Sequence, residues 1–248
     1  MNIDKYLMRF NASHLTDPSL KNLKELQFLH MTNIPFENLD VIRKVPIYLN
    51  LITIYEKIVT RIRGGYCYEL NGLFHWLLVE LGYDASLVAA TVFRPNGKWA
   101  KPETHAAILV HLDETYLVDV GFGDSTILPI PLNGDLCTDA GGSYDVKKFD
   151  NLMYVLNRTR NGESRMIYKF RATQKRLEDF HEGCVFNQVS ADSTFTHVDI
   201  ITRATETGRI SLYDDELSIY EKGNKKNRVI THTEKPSVMK DLFGIEIK

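Results

Sequence analysis

The sequence predicts an α+β fold, with helices gathered at the front of the chain and antiparallel strands behind them. Up to Gly82 the apolar residues recur at spacings of three and four, the period of a helix. From Ala85 they fall instead into short Val- and Ile-rich runs separated by turn residues. The two kinds of segment are segregated, which argues against the alternating strand–helix–strand units of a doubly wound sheet.

Each element has a local reason. Ile3, Tyr6, Leu7 and Phe10 make the first helical stripe. Asp17-Pro18 is a start signal, an N-cap acid followed by Pro at the first helical position. The helix it opens carries Leu20, Leu23, Leu26 and Leu29 and stops before Pro35. Leu51, Ile52, Tyr55, Ile58 and Val59 mark another. After Gly64-Gly65, Leu70, Leu73, Phe74, Leu77, Leu78 and Leu81 form an amphipathic stripe that ends at Gly82, a C-terminal cap. Strands are expected over 86–93, 105–112 and 115–120, the last two as a hairpin, then over 152–156, 166–170, 198–201, 209–213 and 217–221. Turns fall at Pro95-Asn96-Gly97, Asp113-Glu114, Asn161-Gly162 and Thr207-Gly208. A helix is expected within 177–186 and a Pro-initiated one over 236–243; 133–143 reads as a linker or surface loop, and 225–228 as a solvated turn.

Composition limits the function. The 248 residues are 44% hydrophobic and 25% charged, which suits a folded soluble protein of one large domain or two small ones. Thirty basic against 32 acidic residues give a net charge of −2, no support for a nucleic-acid partner. No apolar run reaches the roughly 20 residues of a membrane span, and the first residues lack a signal-peptide core, so a cytoplasmic protein is expected. Cys67, Cys137 and Cys184 are too few for a disulfide scaffold and too scattered for a zinc cluster, no His-Glu-x-x-His or P-loop occurs, and no metal is expected. Any chemistry must come from side chains.

Cys67 leads the candidates. It lies in Arg63-Gly64-Gly65-Tyr66-Cys67-Tyr68-Glu69-Leu70-Asn71, at the entrance to the leucine-striped helix. Free backbone N–H groups and the helix dipole favour an anion there, and predict a thiol with a lowered pKa. The competing reading is a buried, inert cysteine. A nucleophilic Cys needs a base, and the base an orienter. His105 opens one strand of the expected hairpin, and Asp119 closes the other among apolar neighbours, so the pairing brings imidazole and carboxylate within reach. Taken singly, His105 reads as a strand-end histidine and Asp119 as a cap on a Gly-rich turn. His75 stands about two helical turns beyond Cys67, too far for direct proton transfer. Cys137 and Cys184 show no partner in sequence. Arg63 and Glu37 are expected to pair and tie the cysteine turn to the N-terminal helices.

The cysteine segment resembles the Arg-Gly-Gly-x-Cys-x-Glu-x-Asn motif of the arylamine N-acetyltransferases. Ile34-Pro35-Phe36-Glu37-Asn38-Leu39, Thr104-His105, Val118-Asp119-Val120-Gly121-Phe122-Gly123, Ser190-x-x-Ser193-x-Phe195-Thr196, Gly208-Arg209-Ile210-x-Leu212 and Phe243-Gly244-Ile245 resemble further family segments in the expected order. The resemblance implies a helical bundle over 1–82 carrying the nucleophile, a β-barrel-like domain over 83–190 carrying His and Asp, and an α/β lid over 191–248, around a cysteine-protease-like Cys-His-Asp core. It implies a Cys67-His105-Asp119 triad and no permanently bound cofactor. It also implies acetyl-coenzyme A as co-substrate, and an arylamine or hydrazine acceptor. Thr104, Phe122 and Gly123 match positions near the thiol end of the donor; Phe36 and Phe122 match the acceptor pocket. Asp124 departs from the family, in which many bacterial members carry a small residue after this turn. Three readings follow: an acetyltransferase; a relative using the same triad as an amide synthase or thioester hydrolase; and a catalytically silent binding relative.

Overall fold

The computed structural model describes residues 1–150 and 152–247. The front of the chain is helical: α1 (Ile3–Arg9), α2 (Leu20–Asn33), a two-residue strand β1 (Phe36–Glu37), α3 (Leu39–Ile42), α4 (Leu51–Tyr55) running into a π-helical turn at Glu56–Thr60, and α5 (Cys67–Glu80). Then come β2 (Asp84–Val92), β3 (His105–His111), β4 (Thr115–Val118), β5 (Ile130–Pro131), β6 (Cys137–Asp139), β7 (Gly142–Lys148), β8 (Met153–Arg160) and β9 (Glu163–Arg171). A 3-10 turn at Leu177–Phe180 leads into α6 (His181–Val189), and another at Thr194–Thr196 precedes β10 (Ile200–Thr205). The chain ends with β11 (Gly208–Tyr213), β12 (Glu216–Glu221), β13 (Asn224–Val229) and α7 (Lys235–Phe243). The fold is α+β, as the sequence predicts. No described helix is long and apolar enough to cross a membrane.

The larger sheet runs β5-β4-β3-β2-β9-β8-β7-β6, all antiparallel, and curls until β5 lies against β7, so the barrel is nearly closed. The smaller sheet runs β1-β10-β11-β12-β13. Strands β2 and β3 are buried on both faces, and the two-residue period sorts their side chains between two cores. Leu87, Ala89, Ala106, Ile108 and Val110 face the helices; Val88, Ala90, Ala107 and Leu109 fill the barrel. Small Ala side chains let α5 lie close on β2 and β3. A third core joins α7 to the smaller sheet through Ile201, Leu212, Leu217, Val238, Met239 and Phe243.

Four local expectations change. The helix expected to start at Asp17 is capped by Ser19, whose Oγ accepts the Asn22 N–H. The expected loop 133–143 contains β6 and the start of β7, joined by a tight turn in which the Asp139 carboxylate accepts the Gly141 N–H. The expected turn 225–228 belongs to β13, whose residues are all exposed; its Lys and Arg side chains suit the outer strand of a sheet. The expected helix at 177–186 is split between the 3-10 turn and α6.

Candidate active site

Cys67 is the first residue of α5, and Glu69 in the same turn accepts the Tyr66 N–H through Oε2 at 3.1 Å. The turn before it is packed too tightly for side chains: a Cβ on Gly64 would come within 2.2 Å of the Pro35 carbonyl oxygen. Arg63 donates to Glu37 Oε1 through Nε at 2.9 Å and Nη2 at 2.6 Å, the pairing expected from sequence. Arg63 also reaches Asp40 at 3.1 Å, while Lys57 bonds Asp40 at 2.8 Å and both oxygens of Glu69 at 3.0 and 2.9 Å. Two cations and three carboxylates thus lock the cysteine turn to the helices behind it. Burial pushes the Glu69 carboxyl up and Glu37 adds to this, while Lys57 pulls it down.

The β3–β4 hairpin has the register Ile108↔Val118, so Asp119, one residue past β4, returns beside the start of β3. There His105 Nε2–H donates to Asp119 Oδ2 at 2.7 Å. Three further donors converge on the same carboxylate: Tyr168 Oη–H on Oδ2 at 3.0 Å, and Asn71 Nδ2–H and the Gly121 N–H on Oδ1, each at 2.9 Å. Burial alone would push Asp119 up, but the imidazole and these hydrogen bonds bring it below the usual carboxylate range. With Nε2 committed to Asp119, proton exchange with any other group falls to Nδ1.

Cys67 meets this pair. The backbone N–H groups of Ala106, the residue after His105, and of Tyr68 lie near enough to its thiol to favour the thiolate. A Cβ on Gly121 would lie 2.7 Å from the Cys67 Cα, so the segment carrying Asp119 presses directly on the nucleophile's backbone. Cys67, His105 and Asp119 are 2%, 3% and 1% exposed, so the three sit in a dry interior. That burial departs from the expectation of a lowered thiol: desolvation pushes the Cys67 pKa up, the two N–H groups pull it down, and the nearby Asp119 charge pushes it up again. Burial outweighs the helix-start effect, and a thiolate here needs its proton kept close by.

The remaining predicted residues gather around this centre. The Phe122 ring stands edge-on to His105, centroids 5.3 Å apart, and tilted against Tyr168 at 5.5 Å. Gly123 lies against Phe36, and Phe36 packs on Phe195 at 5.9 Å. Thr104 turns its hydroxyl to the Lys101 carbonyl at 2.9 Å, and its own carbonyl accepts Asn187 Nδ2 at 3.1 Å. His75 is held away by the Ala85 carbonyl at 3.2 Å. Cys137 lies on β6 rather than in a loop, and Cys184 has a partner that its sequence hides, the Tyr66 hydroxyl at 2.7 Å.

Two residues of the site escape sequence reasoning. Asn71 does more than bond Asp119: it donates to the Ala106 carbonyl at 2.6 Å and accepts the Val120 N–H at 3.0 Å, tying α5 to both arms of the hairpin. Its position four residues after Cys67, on the same helix face, was the available signal. Tyr168, in β9, had none, because only sheet pairing brings it to Asp119.

A family described as N-acetyltransferase matches residues 19–248. The arylamine N-acetyltransferase of Escherichia coli (strain K12) is 30% identical, over 99% of this chain and 89% of its own. Among solved structures, an arylamine N-acetyltransferase from Bacillus cereus, described as having a Cys-His-Glu catalytic triad, superimposes with a TM-score of 0.92 at 28% identity, over 100% of both chains. The arylamine N-acetyltransferase of Nocardia farcinica gives 0.91 at 31% identity, over 100% of this chain and 90% of its own.

Proposed function

The chain belongs to the arylamine N-acetyltransferase family of acyltransferases, and from that premise we propose that it moves an acetyl group from acetyl-coenzyme A to the nitrogen of an arylamine or arylhydrazine. The acetyl group travels as a thioester on Cys67, with His105 as the acid and base and Asp119 as its orienter. The observation that carries the reading is the buried His105–Asp119 hydrogen bond, on a segment whose Gly121 packs directly against the Cys67 backbone.

The raised thiol sets the order of events. Cys67 passes its proton to His105 Nδ1 as its sulfur attacks the acetyl carbonyl, so the charge remains paired in the dry site. The tetrahedral intermediate collapses by breaking the bond to the donor sulfur, which takes the proton back from His105 as coenzyme A leaves. In the second half the neutral amine attacks the acetyl-cysteine. His105 accepts the amine proton and returns it to the departing Cys67 sulfur. The Cys67 backbone N–H, at the helix start, is the candidate donor to the oxyanion. Asp119 holds the imidazole in the tautomer that leaves Nδ1 free. Where the Bacillus cereus enzyme is described with Glu, this chain supplies Asp.

Phe36 and Phe122 form the acceptor side of the site, and Thr104, Phe122 and Gly123 the side that meets the thiol end of the donor. The contacts of Phe122 with His105 and of Gly123 with Phe36 support this. Domain boundaries at 82/83 and 190/191 belong to the same reading, supported by the change from α5 to β2 and the end of α6.

A two-stage transfer has a kinetic signature. Acetyl-coenzyme A without amine should release a stoichiometric burst of coenzyme A, and double-reciprocal plots at several amine concentrations should be parallel. A steady state indifferent to amine would assign a hydrolase, and intersecting lines without a burst would mean direct transfer.

A further inference from the structure

A cavity of about 730 Å³ opens behind the cysteine turn, between the α3–α4 connection, the segment that runs from the π-helical turn to Arg63, and residues 244–247. Its volume is that of a small-molecule site. None of the residues that line it belongs to the triad or to the Phe36 and Phe122 positions. Its inner wall is formed by Lys57, Arg63 and Glu69, the groups that hold the cysteine turn.

The charges that line it do not balance. Lys57 and Arg63 are engaged by Glu37, Asp40 and Glu69, and Glu246 takes Lys240 at 2.9 Å. Arg43 and Arg61 remain, and neither side chain has a carboxylate partner among the described residues. Two guanidinium groups at one cavity, with every lining acid already taken, favour an anion, and arginine binds acids by paired N–H donors.

The rest of the lining is apolar. Val45, Tyr48, Ile62 and Ile247 all carry exposed side chains and all line this one cavity. Exposed apolar side chains grouped in this way mark a contact surface. Ile62 is there at a cost. Its φ of 55° is in the left-handed region, which a β-branched residue adopts only under constraint. Arg9 Nη2 donates to the Ile62 carbonyl at 3.4 Å, and the Arg63 N–H donates to the Lys57 carbonyl at 3.1 Å, which fixes the turn in this form. The π-helical turn at Glu56–Thr60 lies just before it, and both features are ones that proteins concentrate at working sites.

A second volume of about 540 Å³, between α3 and α7, shares Arg43, Glu246 and Ile247 with the first. Leu39, Ile42, Met239 and Ile245 make it apolar, and its lysines are paired, Lys235 with Asp199 at 2.9 Å and Lys240 with Glu246. Arg43 therefore offers its charge where two apolar volumes share a wall.

We propose that the cavity lined by Arg43, Arg61, Tyr48 and Ile62 binds a small organic anion, an apolar body that carries a carboxylate or sulfonate. The two guanidinium groups take the acid, and Val45, Tyr48 and Ile62 cover the apolar part. The site is separate from the acyl-transfer centre and does not depend on the acetyltransferase reading.

The test uses 8-anilinonaphthalene-1-sulfonate, which fluoresces when held in an apolar site, and N-phenyl-1-naphthylamine, the same body without the sulfonate. The wild-type protein should bind the sulfonate at one saturable site, about tenfold or more tighter than the neutral compound. Excess acetyl-coenzyme A should leave that signal in place. In the double variant Arg43→Gln/Arg61→Gln the sulfonate should bind about tenfold or more weaker, with the neutral compound little changed and Cys67 acetylation as in the wild type. Ile62→Asn keeps a residue that tolerates the left-handed backbone and removes the apolar side chain, so both probes should weaken without a fall in melting temperature. Equal affinity of the wild type and the folded double variant for the sulfonate would overturn the proposal. So would displacement of the probe by acetyl-coenzyme A, which would put it in the catalytic cleft, or the absence of saturable binding.

Discussion

Removing Arg63 tests how the cysteine turn is held. Glu37 has a side chain with no exposed surface and Arg63 is 12% exposed, so this pair is not the surface ion pair worth under ~1 kcal/mol. In Arg63→Ala, Glu37 Oε1 loses both of its short hydrogen bonds and keeps only Lys57 at 3.9 Å, while Oε2 keeps the Leu39 N–H at 2.9 Å. Breaking a buried pair from one side costs ~3–5 kcal/mol, and the residual Lys57 contact places this case near the lower end, about 3 kcal/mol. At ~2–4 °C per kcal/mol for a chain of this size, the melting temperature should fall by about 6–12 °C. Glu37→Gln removes the stranded charge, so the double variant should be less destabilised than the sum of the singles, by ~1.5–3 kcal/mol. Thermal melts of the four proteins, run beside single-turnover acetylation, measure this. Additivity within ~0.5 kcal/mol, with Arg63→Ala melting near wild type, would refute the argument.

Tyr168→Phe removes one donor from a buried carboxylate, a bond worth ~1.5–3 kcal/mol, so single-turnover acetylation should slow about 10- to 100-fold. The acidic limb of its pH profile should also move up, because Asp119 loses a bond that keeps it ionised; an unmoved profile would exclude this positioning role. Gly121→Ala puts a methyl 2.6 Å from Asn71 Nδ2 and 2.7 Å from the Cys67 Cα, and should lose both acetylation and thermal stability. Wild-type activity in that variant would contradict the contact. His30 is buried, hydrogen-bonded to the Tyr6 hydroxyl at 2.9 Å, and burial, helped by Arg9, lowers its pKa to about 3. Its folded value lies below the unfolded ~6.5, so between these the unfolded chain binds more protons. The stability His30 contributes is whole above pH ~6.5 and declines as pH falls toward 3, by at most ~1.4 kcal/mol per unit. Urea unfolding at pH 7 and 4.5 should show a larger loss in the wild type than in His30→Gln; equal losses would disprove it.

The sequence carried the fold wherever a period was long enough to read. The leucine stripe of α5 and the apolar runs of β2 to β4 are local patterns, and they determine where Cys67, His105 and Asp119 stand. Short or polar pieces were harder. β1 has two residues, and β13 is polar in all but its last residue, so neither alternates. The Cys67 environment shows a different gap. Its helix-start position is written locally and argues for a lowered thiol, but its burial comes from β3 and the 119–121 segment, which lie far off in sequence. Asn71 was one helical turn from the nucleophile and could have been found; Tyr168 and the Lys57 contacts depend on tertiary packing alone.

The central claim is that Cys67 carries the acetyl group, and intact-protein mass with peptide mapping tests it most directly. Incubation with acetyl-coenzyme A and no amine should add the mass of one acetyl group, located on the peptide containing Cys67. An arylamine should then remove it, and Cys67→Ala should never acquire it. An unmodified protein, or an acetyl group that maps elsewhere and persists in Cys67→Ala, would contradict the account.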